Sequence, residues 1–374
     1  MMGEIIIPSI RGGIFSEKEK AEARRNNEIL FISPMLNGTC QLKCFACYTE
    51  SDGSMKREFS FEELKETLKE AKNHGAKTVR IAGIGEPFLD NVLFNQKENT
   101  FPLLDVSEEL GMQTVVFTNG VIFNKNPNLL ERLYDRNISL LFKLWGTKDT
   151  HDYLTVNRGG DLEPWIKNDE LFVPKGLDYA IKLGFNKVEY DNQNNAVTRL
   201  GIETCLFKEN KNFLPEGLRW ARRNYIFPHF EQPFVGGRMQ NNLDKRVGDK
   251  EALKISEELL KIDKKEFNDD WKPGLPYLLS NTTVFGEARC DKRDYNLVVN
   301  LNGDVWACYG TPIIYGNILK NSFDEIMNHP FRKKILESKV CCGCQVSALS
   351  EMNGDPVKTP DDLNRAAKKY DYKG

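Results

Sequence analysis

The sequence carries no surplus of either charge: 54 Asp plus Glu stand against 52 Lys plus Arg in 374 residues. That balance removes the bulk field that draws a chain to nucleic acid or to an anionic membrane. No apolar run approaches the roughly 20 residues a membrane helix needs, and the opening MMGEIIIPSIRGG lacks the basic start and long apolar stretch of a secretory signal. The expectation is a cytoplasmic protein with no membrane partner and no bulk nucleic-acid signal. Internal repeats and low-complexity segments are also missing, and a 40% hydrophobic content supports a substantial core.

Cysteine is scarce. Nine residues, an odd number, in a chain without an export signal argue against a disulfide framework and for metal binding or catalysis. Eight fall into two groups, Cys40, Cys44 and Cys47 in TCQLKCFACYTE, and Cys290, Cys308, Cys341, Cys342 and Cys344. Cys205 stands alone among the apolar neighbours of IETCLF and reads as an ordinary buried thiol. The first group supplies three sulfur ligands at the spacing CxxxCxxC. A structural zinc site usually closes with four ligands, whereas a [4Fe-4S] cube held by three thiolates keeps one iron free for another partner.

What the sequence does have is alternation. FSFEELKETLKEAKNHGAK predicts a helix with Ser60 as N-cap, Glu63 three residues on, Leu64 and Leu68 one turn apart and Gly75 as a stop. The strand TVRIAG follows, then helix LLDVSEELG, strand QTVVF, helix NPNLLERLYD and strand ISLLFKL. The pattern continues less cleanly through VPKGLDYAIKLG, TRLGIETCLF, LPEGLRWARRN and YIFPHF. With ILFISP before the cysteines, about six strand-then-helix repeats predict an α/β fold with an open or partial barrel, whose sites lie at the C-terminal ends of its strands. After residue 235 the grammar changes. VGGRMQNNLDKRVGDK reads as a linker, a helix follows at about 250 to 264, and YNLVVNLNGDVWAC places two β-rich runs around Asn302-Gly303, a hairpin signal. PDDLNRAAKKY reads as a short helix in a solvated tail.

On these motifs the sequence resembles the radical S-adenosylmethionine (SAM) superfamily, whose signature is CxxxCxxC on the loop after the first barrel strand. The resemblance implies a partial (β/α)6 barrel of the radical SAM type, with Cys40, Cys44 and Cys47 holding a [4Fe-4S] cluster whose open iron takes SAM. AGIGEPFL, with Gly83, Gly85 and Glu86, is similar to the family's GxGEP segment, which contacts the SAM amino group. FTNG offers Thr118 and Asn119 to ribose or carboxylate, and Lys143 is a candidate for the same groups, with a solvated lysine as the alternative. LWGTKDTHDYLTVNRGG resembles the family's His-Asp segment, in which His151 reads as a local structural hydrogen bonder. One departure stands out: the family's aromatic residue before the third cysteine is Ala46 here, which leaves Phe45 and Tyr48 as candidates to shield the adenine.

The second cysteine group resembles the family's auxiliary-cluster modules, SPASM and its shorter form, twitch. The order Cys290, hairpin, Cys308, then Cys341 and Cys344 as a CxxC pair implies a small C-terminal β-hairpin/α module with one auxiliary [4Fe-4S] cluster. Cys342 is the alternative to Cys341, and a zinc knuckle is the alternative to the cube. The expected boundaries are an N-terminal extension at 1–29, the barrel at 30–235, a linker and helix at 236–285, a twitch-like module at 286–345 and a tail at 346–374.

The resemblance implies reductive cleavage of SAM to a 5'-deoxyadenosyl radical that abstracts a hydrogen atom, with the auxiliary cluster assisting electron transfer and a flavodoxin or ferredoxin as electron donor. Three readings follow. The first is an oxidoreductase acting on a small polar molecule in the barrel mouth beside Glu203 and His229, similar in layout to the inosamine dehydrogenase of aminoglycoside synthesis and the cyclase of molybdenum-cofactor synthesis. The second is a maturase of a ribosomally made precursor peptide, and the third a non-catalytic iron-sulfur or zinc scaffold. Only some thirty residues precede the first strand, shorter than the recognition domain many peptide-modifying members carry, which favours the first.

Overall fold

The structure, a computed structural model, describes residues 6–156, 164–267, 292–337, 350 and 354–370. Six strands, β1 (Phe31–Pro34), β2 (Thr78–Ile81), β3 (Gln113–Thr118), β4 (Ile138–Lys143), β5 (Leu200–Cys205) and β6 (Phe227–Glu231), pair in parallel in chain order. Helices α1 (Phe61–Asn73), α2 (Pro102–Glu109), α3 (Asn128–Tyr134), α4 (Lys175–Leu183) and α5 (Leu214–Arg223) lie between or beside them. The predicted repeats are thus present.

The first helix shows why the local signals were readable. Ser60 Oγ accepts from Glu63 N at 3.2 Å while the Glu63 carboxylate accepts from Ser60 N at 2.6 Å, closing a capping box. Leu64, Leu68 and Ala71 then bury completely. Beyond the helix the chain turns at Gly75 with φ +95°, where a Cβ would sit 2.9 Å from that of Glu28.

The hairpin does not stand apart from the barrel. Its first strand, β7 (Asn296–Val299), pairs in parallel with β1, from Asn296 opposite Phe31 to Val299 opposite Pro34. Strands β8 (Asp304–Cys308) and β9 (Thr311–Asn317) continue antiparallel, giving one nine-stranded sheet in the order β6-β5-β4-β3-β2-β1-β7-β8-β9. The connection runs over residues 300–303, with Gly303 at φ +83°.

The N-terminal extension closes the floor. Ser9 and Ile10 pair with Val197 and Thr198, and Ile10 packs with Val115, Leu141 and Phe227. Ser139 and Thr78 hydroxyls donate to the carbonyls of Arg11 and Gly12, at 2.9 and 2.8 Å.

The stretch read as a linker is ordered. Residues Gly237–Lys245 form consecutive turns of 3₁₀ helix, and helix α6 (Asp249–Phe267) packs on α5, joined by an ion pair between buried Arg222 and Asp263 at 2.7 Å. Among the described residues no helix is long and apolar enough to cross a membrane.

Candidate functional site

The cysteine loop follows β1. Its backbone is fastened to the helix Lys148–Thr155, since Lys43 N donates to Thr155 O at 3.2 Å and Phe45 N to Leu154 O at 3.0 Å. Each thiol has a polar neighbour. Asn119 Nδ2 is 3.7 Å from Cys40, Lys143 Nζ is 3.3 Å from Cys44, and Thr49 Oγ1 is 3.6 Å from Cys47. Burial pushes the Cys40 thiol up to about 12, with Glu86 adding to the shift, and burial also raises Cys44 against the pull of Lys143. At Cys47 burial is outweighed by hydrogen bonds from Thr49 and Ser51, and the thiol falls below its ordinary value. Three thiols with a donor at each fit a cube held by three thiolates.

The turn after β2 packs directly on this loop. A Cβ on Gly83, at φ +131°, would meet Tyr48 Oη, and one on Gly85, at φ +69°, would lie 2.5 Å from Thr39 O and 2.6 Å from Asn37 O. Gly85 N donates to Ser51 Oγ and Glu86 N to Thr39 O. The buried Glu86 carboxylate accepts from Thr118 Oγ1 at 2.7 Å and Asn119 N at 2.8 Å, so it ties the end of β2 to the end of β3. Burial raises its pKa above the usual carboxylate value, against these hydrogen bonds. The side chains of Thr118 and Asn119 are accordingly engaged within the protein: Asn119 Oδ1 accepts from Val121 N and Gln41 Nε2.

A cavity of about 260 Å³ opens beside the loop, at the C-terminal ends of the strands. Cys40, Cys44 and Cys47 form one side, with Gly83, Gly85, Glu86, Thr118, Asn119 and Lys143 around them. Cys308 and Tyr309 of the β8–β9 turn form another, where Tyr309 meets Tyr48, and Tyr48 also meets Phe234 at 5.9 Å between ring centroids. Glu203, Cys205 and Glu231 complete the wall from β5 and β6. Arg80 lies across the Phe117 ring at 5.1 Å and makes no hydrogen bond or ion pair among the described residues.

Lys143 sits 4.6 Å over the Trp145 ring and stays protonated. Burial alone lowers its pKa, but the cysteines and Glu203 outweigh that and raise it. Glu203 accepts from Trp145 Nε1 at 3.0 Å and from Cys205 Sγ at 3.2 Å. Burial, then Glu231, pushes Glu203 up to about 7.

Most of the expected residues converge, with exceptions. Phe45, expected as a candidate adenine shield, does not line the cavity and packs on Tyr153 at 5.3 Å with Lys245 over its ring. Tyr48 does line it. Cys205 is buried, as expected, yet its thiol faces the cavity between two carboxylates. His151 is fully buried and accepts from Trp145 N at 3.1 Å, a structural role. His229 lies below the cavity, in a small void with Phe117 and Phe227, its Nε2 3.2 Å from Glu231. Cys290, Cys341, Cys342 and Cys344 lie outside the described residues. Sequence reasoning missed Trp145, Glu231 and Tyr309. Only Glu231 left a signal, as a polar residue two places after His229 on the same strand face.

Residues 290–345 match the SPASM family, described as an iron-sulfur cluster-binding domain. Over 154 residues the chain is 26% identical to a probable GTP 3',8-cyclase of Archaeoglobus fulgidus, a match spanning 40% of this chain and 44% of that protein. The fold is similar to crystal structures of Streptococcus suis SuiB bound to precursor peptide SuiA (TM-score 0.59, 18% identity, 92% of this chain and 79% of that one) and of native anSMEcpe with bound AdoMet and a Cp18Cys peptide (0.56, 17%, 91% and 97%). The chain therefore joins a parallel sheet left open at β6, a three-cysteine loop after its first strand and a C-terminal stretch that matches an iron-sulfur cluster-binding domain, on a fold shared with the two compared structures.

Proposed function

We propose that the chain is a radical SAM oxidoreductase acting on a small polar substrate held in the barrel cavity. The observation that carries this reading is that Cys308 lines the same cavity as Cys40, Cys44 and Cys47, although it lies 261 positions after Cys47. A cluster and SAM bound there would supply the radical chemistry, and the chain's residues would hold the substrate beside them.

The chain's own residues hold, orient and exclude. Cys40, Cys44 and Cys47 ligate the first cluster, and Cys308, with Cys290, Cys341 and Cys344, ligates the auxiliary one. Gly83 and Gly85 would let the backbone approach SAM, and Glu86, Thr118, Asn119, Lys143 and Tyr48, which line the same cavity, would contact it. Tyr48, Tyr309 and Phe234 wall the cavity from solvent. Glu203, whose pKa is raised to about 7, lines the cavity as an acceptor for a proton from the substrate. A flavodoxin or ferredoxin fits as external electron donor.

A second reading, a peptide maturase, is favoured by the two similar structures that hold a bound peptide. One experiment separates them: anaerobic incubation with SAM and reductant, with deuterium-labelled metabolites or labelled precursor peptides. Label entering 5'-deoxyadenosine from a small molecule supports the first reading. Label arriving only from a peptide replaces it with the second.

A further inference from the structure

The cysteine loop is gripped from two sides, and the second grip lies in the stretch that reads as a linker. Gly237, at φ +55°, is pressed so close that a Cβ would fall 2.5 Å from the carbonyl oxygens of Cys47 and Tyr48. Arg238 N donates to Cys47 O at 3.0 Å, and its guanidinium Nη2 donates to Glu50 O at 2.9 Å and Ser51 O at 3.3 Å. Met239 is fully buried in the cluster formed by Leu42, Cys44 and Ala46. Lys245 closes the far end, bonded to Tyr153 Oη at 2.5 Å and lying 4.9 Å over the Phe45 ring.

From this geometry we infer that Arg238, seated by Gly237, is the positioning residue of the first cluster: it fixes the Cys47 end of the loop and places a permanent positive charge beside it. The inference rests on the reading of Cys47 as a cluster ligand. Three observations converge on it. The guanidinium's hydrogen bonds go to main-chain carbonyls of the loop, while the fully exposed Asp52 carboxylate attracts it only through space. The two carbonyls belong to Glu50 and Ser51, and Ser51 Oγ lies 3.9 Å from Cys47 Sγ and accepts from Gly85 N, which carries the restraint into the turn beside Glu86. Glycine is required at 237 because the backbone of Cys47 and Tyr48 occupies the place of a side chain.

A fixed cation near an iron-sulfur cluster favours its reduced, more negative state, since charge and hydrogen bonding around the sulfurs set cluster potentials. The step is one electron in, with no proton required of Arg238. Removing the charge therefore makes the first cluster harder to reduce, and loosening the grip makes it harder to retain.

The test uses the full chain, reconstituted anaerobically, as wild type, Arg238→Gln, Arg238→Lys and Gly237→Ala, with a variant lacking Cys40, Cys44 and Cys47 to identify the auxiliary signal. Iron and sulfide are counted, and each cluster's potential is read by electron paramagnetic resonance during redox titration. For Arg238→Gln the reduced-to-oxidised ratio of the first cluster at a fixed poise should fall about tenfold, a shift of about 59 mV for one electron, and Arg238→Lys should restore most of it. Gly237→Ala should lose first-cluster iron while auxiliary iron stays. An unchanged potential in a fully loaded Arg238→Gln protein overturns the inference, and so does loss of both clusters together, which marks a general folding role. If the wild type itself holds no iron on Cys40, Cys44 and Cys47, the ligand reading fails first, which the triple variant reveals separately.

Discussion

Tyr309, in the turn after β8, packs its ring against Tyr48, the residue after Cys47, with centroids 6.0 Å apart and planes at 65°. This edge contact is where the C-terminal module meets the cysteine loop. Edge-to-face aromatic pairs contribute about 0.5 to 1.5 kcal/mol beyond their burial. A double-mutant cycle on Tyr48→Leu and Tyr309→Leu, followed by urea denaturation, should return a coupling of that size. A coupling near zero would show the two rings to be neighbours without mutual stabilisation.

Metal content follows from the two cysteine groups. Anaerobically reconstituted protein should hold about eight iron and eight sulfide per chain, as two cubes require. Joint replacement of Cys40, Cys44 and Cys47 should remove half. Stoichiometric zinc with little iron would instead favour the scaffold reading.

Glu86 serves the fold as well as the proposed SAM contact. Glu86→Ala leaves Thr118 Oγ1 and Asn119 N without their acceptor, at a cost of about 1 to 3 kcal/mol for each buried group left unpaired. The variant should unfold at lower denaturant and bind SAM about ten- to a hundredfold more weakly, corresponding to roughly 1.5 to 3 kcal/mol. Equilibrium dialysis of loaded protein checks the second effect, and unaltered SAM affinity removes Glu86 from the SAM site.

Glu203 gives a pH dependence with a definite sign. Its folded pKa, about 7, is above the ordinary 4.5, so the folded protein holds this proton more tightly than the unfolded chain. The associated stability is fully present below pH 4.5 and is lost as pH rises through 7. Denaturation of the metal-free chain across that window should show the decline, and Glu203→Gln should flatten it. An identical slope in both proteins would assign the effect elsewhere.

Arg80 faces the cavity across the Phe117 ring and makes no hydrogen bond or ion pair among the described residues. Arg80→Met should change stability by less than about 1 kcal/mol, because no hydrogen bond is lost and an unpaired charge leaves a partly desolvated site. Substrate turnover should fall while 5'-deoxyadenosine formation without substrate persists. Chromatography of both products distinguishes the cases.

How far the sequence was legible depends on how local each cause is. The Ser60–Glu63 box, the apolar spacing of Leu64 and Leu68 and the alternating apolar strands are short-range facts, and the corresponding elements are present. Cys40, Cys44, Cys47 and the turn at Gly83 to Glu86 were visible because close spacing in the chain and backbone crowding at the glycines mark them locally. The strap at Gly237 and Arg238, the stacking of Tyr309 on Tyr48 and the outward turn of Phe45 depend on segments far apart in the chain, so no window of sequence displays them. Cys205 is buried as its apolar neighbours imply, but the carboxylate beside it, Glu231, comes from the next strand and so was not legible.

The parallel pairing of β7 with β1 sets the order in which this protein can be completed. Phe31 waits for Asn296, 265 residues later, so during synthesis the first strand presents an open row of amide and carbonyl groups until nearly the whole chain has emerged. Such a long-range closure is slow, and an unpaired edge of that kind templates association with other chains. Truncation before residue 296 should therefore yield aggregates rather than a smaller barrel.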